Sequence, residues 1–196
     1  MAGDSRAVLM LLATLAIGMA ASAGAPAAPS GKPKVPASAV RPVASFQEIM
    51  LAEVIPSSTV LWNAVSTQSS AEGLVEHKPT TDEEWLNLRH QALILIEAGN
   101  LLLDKQRLIV ARGGQVKDAE QPGILGPAQI RQKMDADPAR LARLIHALQD
   151  ATAKALDAIE AKKADALSDS GSDIDEACEA CHKTYWYPDT AQGRKQ

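Results

Sequence analysis

Six residues near the C-terminus, Leu167, Gly171, Ile174, Cys178, Cys181 and Tyr185, follow one another at intervals of four, three, four, three and four. Residues three and four apart stack on one side of an α-helix, which turns once every 3.6 residues. A helix over about 165–186 therefore puts all six on one core-facing stripe, with both cysteines in the seam. Gly171 costs such a helix roughly 1 kcal/mol relative to alanine. The alternative is a break at Gly171, with Ser172 or Asp173 as a new N-cap. The unbroken stripe favours one continuous helix, which Pro188 then ends.

Helical periodicity extends over most of the chain, and no segment alternates convincingly as a strand. A first segment, residues 45–67, carries Phe46, Ile49, Met50, Val54, Leu61, Ala64 and Val65 on its apolar face. Pro56 removes the amide that would bond the Ala52 carbonyl, so a kink or break is expected there. A second, residues 82–104, opens with the capping-box pattern Thr81-Asp82-Glu83-Glu84 and buries Trp85, Leu88, Ala92, Leu95, Ile96, Gly99, Leu102 and Leu103. A third starts at Asp137-Pro138, an N-cap followed by proline at the first helical position. Its inner face is Leu141, Leu144, Ile145, Leu148, Thr152, Leu156 and Ile159. Together with the C-terminal helix these segments, each about 30 to 37 Å long, describe an all-α fold, a four-helix bundle. The connection over residues 105–136 is long for a bundle and rich in Gly-Gly, Pro-Gly and Gly-Pro steps; residues 128–134 are expected to form a short helical turn within it.

Ahead of this domain, residues 1–23 have the form of an export signal. Arg6 marks a short n-region, residues 7–20 are apolar, and Ala21-Ser22-Ala23 offers a small-residue cleavage site. Fourteen apolar residues fall short of the roughly 20 needed to span a bilayer. The expectation is export to the periplasm with the signal cleaved, and membrane association only if the signal is retained as an anchor. Residues 24–44 hold five of the eleven prolines and form a semi-rigid linker. Residues 45–190 make one domain large enough for a real core. The formal charge of −4, with no basic or aromatic cluster, excludes nucleic acid as a partner.

Cys178 and Cys181 are the only cysteines of the 196 residues, and His182 follows them directly. Cys-x-x-Cys-His is the attachment signature of c-type haem. Two thiols three residues apart share a helical face and can add to the two vinyl groups of one haem. The adjacent imidazole is suited to the iron. Rival readings are a thioredoxin-like redox pair, which wants a βαβ context not found here, or half of a zinc site, for which only His77, His90 and His146 remain. No acid–base pair or activated nucleophile stands at a telling spacing, so the chain is not expected to be an enzyme.

A helical bundle whose last helix carries Cys-x-x-Cys-His close to the C-terminus resembles the class II cytochromes c, the group of cytochrome c′ and cytochrome c556. The resemblance covers about residues 45–187 and is most specific over Cys178 to Tyr185. An aromatic three residues after the haem histidine is common in that group, and Tyr185 matches it. A basic residue commonly follows, and here Trp186 stands instead, so the cation that pairs with a haem propionate is open between Lys183, Arg194 and none. The resemblance implies one covalent haem c on the C-terminal helix, with His182 as proximal iron ligand. The consecutive aromatics Tyr185, Trp186 and Tyr187, one turn past that ligand, are placed to pack on the macrocycle or to anchor the helix end. In the c556 type a methionine of the first helix fills the other iron position, where Met50 stands. Taken alone, a methionine on an apolar helical stripe is ordinarily a core residue. His90 is the runner-up ligand. The expected function is a single-electron carrier with His/Met-ligated low-spin iron, serving redox partner proteins of the exported compartment. The alternative is a five-coordinate, cytochrome c′-like binder of nitric oxide or carbon monoxide. A homodimer is familiar in the group, although no self-complementary stripe is evident. A haem-free helical protein using the two cysteines as a disulfide or metal clip is the third reading.

Overall fold

A computed structural model describes residues 41–70 and 73–188. The expected signal (1–23) and all but the end of the linker (24–44) lie outside the described residues. What is described is mostly helical, with one small antiparallel hairpin.

The first helical rod has three parts that run on without interruption: α1 (Phe46–Ile49), a π-helical turn (Met50–Val54) and α2 (Ile55–Asn63). Ser45 caps it through a reciprocal box, its hydroxyl accepting from the Glu48 amide while the Glu48 carboxylate accepts from the Ser45 amide. Pro56 does not break the rod; the helix widens into the π-helical turn before it. The Ile55 amide donates to the Met50 carbonyl, five residues back, and the residue that cannot donate falls just after the widened turn.

The rod stops at Asn63, short of the expected residue 67. Residues 66–70 and 73–77 instead pair as strands β1 (Ser66–Ser70) and β2 (Gly73–His77), with Ser66 opposite His77 and Thr67 opposite Glu76. The expectation of no strand is thereby corrected. Ser66 to Ser70 offers a helix no apolar side chain to bury, and serine and threonine compete for backbone partners within it. Gly73, at φ +126°, adopts at the turn a conformation open to glycine alone.

Helix α3 (Asp82–Leu102) begins at Thr81 with the anticipated capping box. The Glu84 carboxylate accepts from the Thr80 and Thr81 amides, which hold its pKa down at about 2. Helix α4 (Pro127–Ala136) is longer than the short turn expected there. Helix α5 (Pro138–Glu160) starts as read, with Asp137 accepting from the Arg140 amide at 2.8 Å. Helix α6 (Ala164–Tyr185) passes through Gly171 unbroken. Helix α5 packs on α6 and α3, and α2 packs on α3 and α6, around one continuous apolar core.

The segment between α3 and α4 is held by Arg107, which is only 4% exposed. Its Nε donates to the Leu101 carbonyl at 3.0 Å, one Nη donates to the Ala44 carbonyl, and the other lies 3.7 Å from Asp104. A buried charge is tolerable only when so satisfied. Arg107 thus closes the last turn of α3 and fastens the segment to the start of α1, where Leu108 and Ile109 accept from the Phe46 and Gln47 amides.

Two helical glycines meet different surroundings. At Gly171 the Trp62 indole lies across the helix, its Nε1 donating to the Gly171 carbonyl at 3.1 Å. Trp62, expected from the sequence to pack in the core between the first two helices, is instead 38% exposed. A Cβ at Gly171 would stand 3.5 Å from Trp62 Cδ1, an ordinary contact, whereas at Gly99 it would stand 2.7 Å from Gln149 Cγ. Gly171→Ala is therefore expected to stabilise the fold by up to about 1 kcal/mol, the helix-propensity gain. Gly99→Ala is expected to destabilise it, because crowding of about 1–3 kcal/mol outweighs that gain. Urea denaturation of the two variants checks both signs.

Candidate functional site

The C-terminal half of α6 carries the site. Its core-facing stripe buries Leu167, Ile174, Ala177 and Tyr185, and the same spacing leaves Cys178 and Cys181 half-buried against the core. Both thiols are free. The last turn is closed by the Trp186 and Tyr187 amides, which donate to the His182 carbonyl at 2.7 and 3.1 Å. The Leu125 amide donates to the Trp186 carbonyl at 2.9 Å, so the loop before α4 is pinned to the end of α6.

These contacts frame an apolar cavity with about 850 Å³ of empty space, mouth included. Helix α6 contributes Cys181, His182 and Tyr185 to its walls, and Trp186 and Tyr187 follow. The first rod contributes Phe46, Met50, Leu51 and Ile55, and α4 contributes Met134. Of the residues singled out in the sequence, Met50, Cys181, His182, Tyr185 and Trp186 thus share one cavity. Cys178 does not line it and lies three residues earlier on the same helix. His90, His77 and His146 line other surfaces and are exposed.

The electrostatics follow from burial. Burial pushes the Cys178 thiol up to about 11, with Asp175 and Glu179 adding to the effect, and the Cys181 thiol up to about 12, with Cys178 adding. Both stay protonated at neutral pH. Burial also lowers the pKa of His182, against an opposing pull from Glu179, so the neutral imidazole with a free ring lone pair is favoured. The His182 ring sits 6.5 Å from Trp186 and 5.9 Å from Tyr187, centroid to centroid, tilted against both. Tyr187 donates to the Glu179 carboxylate; burial first, then that bond, raises its phenol. Tyr185 is 3% exposed, and its hydroxyl is the buried side-chain polar atom that finds no partner among the described residues. The charged side chains on the cavity wall are Lys117 and Asp118, paired with each other at 2.9 Å.

Two features escaped the sequence reading. Met134, expected at the end of a short helical turn within the connection, is on α4, 3% exposed and against the cavity. The signal was present: Ile130 and Met134 are four apart, the start of a buried stripe. Tyr187, the last of the three consecutive aromatics, lines the cavity just past the helix end beside Tyr185 and Trp186. Met50 opens a π-helical turn, an irregularity often found at functional sites, which nothing in the sequence but Pro56 foreshadows.

Among the described residues no group of three or more His, Cys, Asp or Glu is gathered as ligands of a bare metal ion. None of the described helices is long and apolar enough to cross a membrane. Comparison with known protein families, with characterised proteins and with solved structures gives no match for this chain.

Burial of the thiols has a measurable consequence. With both cysteines free, iodoacetamide at pH 8 should label the folded chain at least about a hundredfold more slowly than the chain unfolded in guanidinium, because only the thiolate reacts. Cys181 should lag behind Cys178. Labelling as fast as in the unfolded chain contradicts the burial described.

Proposed function

We propose that the protein is an exported mono-haem c-type cytochrome that carries single electrons, with α1–α2, α3, α5 and α6 forming a four-helix bundle around the group. One observation carries the reading: Cys181 and His182 of one helix and Met50 of another line a common, open, apolar cavity. The residues present suit a haem. Two unpaired thiols lie at i and i+3, the imidazole is biased to its neutral form, thioether sulfurs stand on two other elements, and a buried tyrosine hydroxyl has no acceptor among the described residues.

In this reading Cys178 and Cys181 hold the porphyrin side chains as thioethers. His182 is the proximal ligand, and the ring contacts with Trp186 and Tyr187 restrict its rotation. Met50 is the distal ligand. Haem c supplies one-electron exchange between ferric and ferrous iron, and a soft thioether ligand favours the reduced form. The chain's own contribution is to exclude water. Phe46, Ile124 and Trp186 wall the cavity, and the Gln47 side chain holds the loop beside it by accepting from the Lys117 amide at 2.7 Å and donating to the Gln115 carbonyl at 3.1 Å. Redox partner proteins of the periplasm are the natural counterpart of such a carrier.

Met50, rather than Met134, is assigned as the distal ligand because it lies on the first helix and is only half-buried in the cavity wall. Met134 is packed on Ile130 in the core. Absorption spectra of the purified protein, oxidised and reduced, are expected to be those of covalent low-spin haem. Met50→Ala should convert them to high-spin, and Met134→Leu should leave them low-spin. A wild-type spectrum that is already high-spin and shifts with carbon monoxide contradicts the carrier and favours the gas binder.

A further inference from the structure

Behind the cavity, on the far side of Tyr185, lies a second and very different cleft. It is walled by the end of α4, the first turn of α5 and the end of α6, and four of its residues are charged: Lys133, Asp137, Arg140 and Lys183. Three cations thus face one acid. That acid is already engaged, since Asp137 caps α5 by accepting from the Arg140 amide at 2.8 Å and lies 3.9 Å from the Arg143 guanidinium. The Arg140 guanidinium donates to the Thr184 hydroxyl at 3.3 Å and meets no carboxylate among the described residues. Lys133 has no ion-pair partner among them, and Lys183 pairs with Glu179 at 3.5 Å, one turn earlier on the same helix. The cleft has about 830 Å³ of empty space, mouth included, and among the described residues its charge is unbalanced.

Tyr185 is the residue shared by the apolar cavity and this basic cleft. It is 3% exposed, and its hydroxyl has no acceptor among the described residues. A buried donor left unmade costs the fold, roughly as much as a lost hydrogen bond. A buried phenol with no acceptor among the described residues, beside three under-compensated cations, offers the donors that an oxyanion needs. Arginine in particular suits a carboxylate, which it can hold through two parallel N–H donors.

We propose that this cleft is an oxyanion site, in which Arg140, with Lys133 and Lys183 around it, takes a carboxylate that also accepts from Tyr185. The inference rests on the haem reading and deepens it. A haem carries two carboxylates at one edge; with its iron at His182, the cleft past Tyr185 is the basic surface next to the cavity, and the propionates are the occupants assigned. Arg140 takes the place of the basic residue expected where Trp186 stands. A free small oxyanion is the other source of the same chemistry, and Lys117, at the cavity wall, is the competing cation.

The test uses the full-length, haem-loaded protein. Resonance Raman spectra report the propionate bending bands, and inorganic phosphate is titrated separately by calorimetry. Arg140→Gln and Lys133→Gln are both exposed substitutions that leave the core untouched. Arg140→Gln is expected to shift the propionate bands, Arg140→Lys to shift them less, and Lys117→Gln to leave them unchanged. Wild-type protein whose bands ignore Arg140→Gln, but which binds phosphate and loses that binding in Arg140→Gln, upholds the site with a free anion as its occupant. Bands that follow Lys117→Gln alone, or no band shift together with no phosphate binding, overturn it. If the protein carries no haem the reading above fails, while the phosphate titration of wild type against Arg140→Gln still decides the cleft.

Discussion

Everything at this site depends on one geometric constraint, the fixed direction that an α-helix gives to residues three and four apart. The stripe that buries Leu167, Ile174 and Tyr185 also fixes where Cys178 and Cys181 point, because they occupy its next positions. The apolar contacts of the upper half of α6 therefore orient the reactive lower half. His182, one residue further round, is turned to the edge of that stripe and into the cavity. Packing and chemistry on this helix are one pattern, and a change of register would displace both.

The cavity is completed by parts of the chain far from α6 in sequence. Arg107 fastens the segment after α3 to the start of α1, and the Leu125–Trp186 bond fastens its far end to the end of α6. Between these two anchors the loop spans the cavity, and Gln47 clasps it a third time. The widened turn before Pro56 sets the first rod's contribution, since Met50, Leu51 and Ile55 all belong to it or adjoin it. A buried guanidinium, a proline and a helix end thus act together to leave an apolar space beside a neutral imidazole.

The long helices were readable because their apolar stripes and caps agree. Thr81 with Glu84, Asp137 with Pro138, and the unbroken spacing through Gly171 all appear in the structure as the sequence suggests. The small residues of the interior were not readable. Ala98, Ala151, Ala155 and Ala158 are buried, yet alanine is equally at home on a helix surface and carries little patterning signal. The hairpin was missed because β1 lacks any apolar alternation; local competition by serine and threonine, rather than burial, ends the helix there. Trp62 was expected in the core as a large apolar side chain, while its indole N–H finds the Gly171 carbonyl at the surface. At the site, the cysteines, His182 and Met50 were nameable from motif and stripe. The part played by Met134 and the basic cleft behind Tyr185 arise from tertiary contacts between α4, α5 and α6, which no local pattern encodes.

The central claim is that the last helix grips a tetrapyrrole through two sulfurs. Mass spectrometry of the protein recovered from the exported fraction tests it most directly. The peptide holding Cys178 and Cys181 should carry the added mass of one haem, resistant to acid–acetone extraction, and Cys178→Ser with Cys181→Ser should abolish it. Recovery of that peptide with two unmodified thiols, from cells that attach haem to other exported cytochromes, would contradict the account.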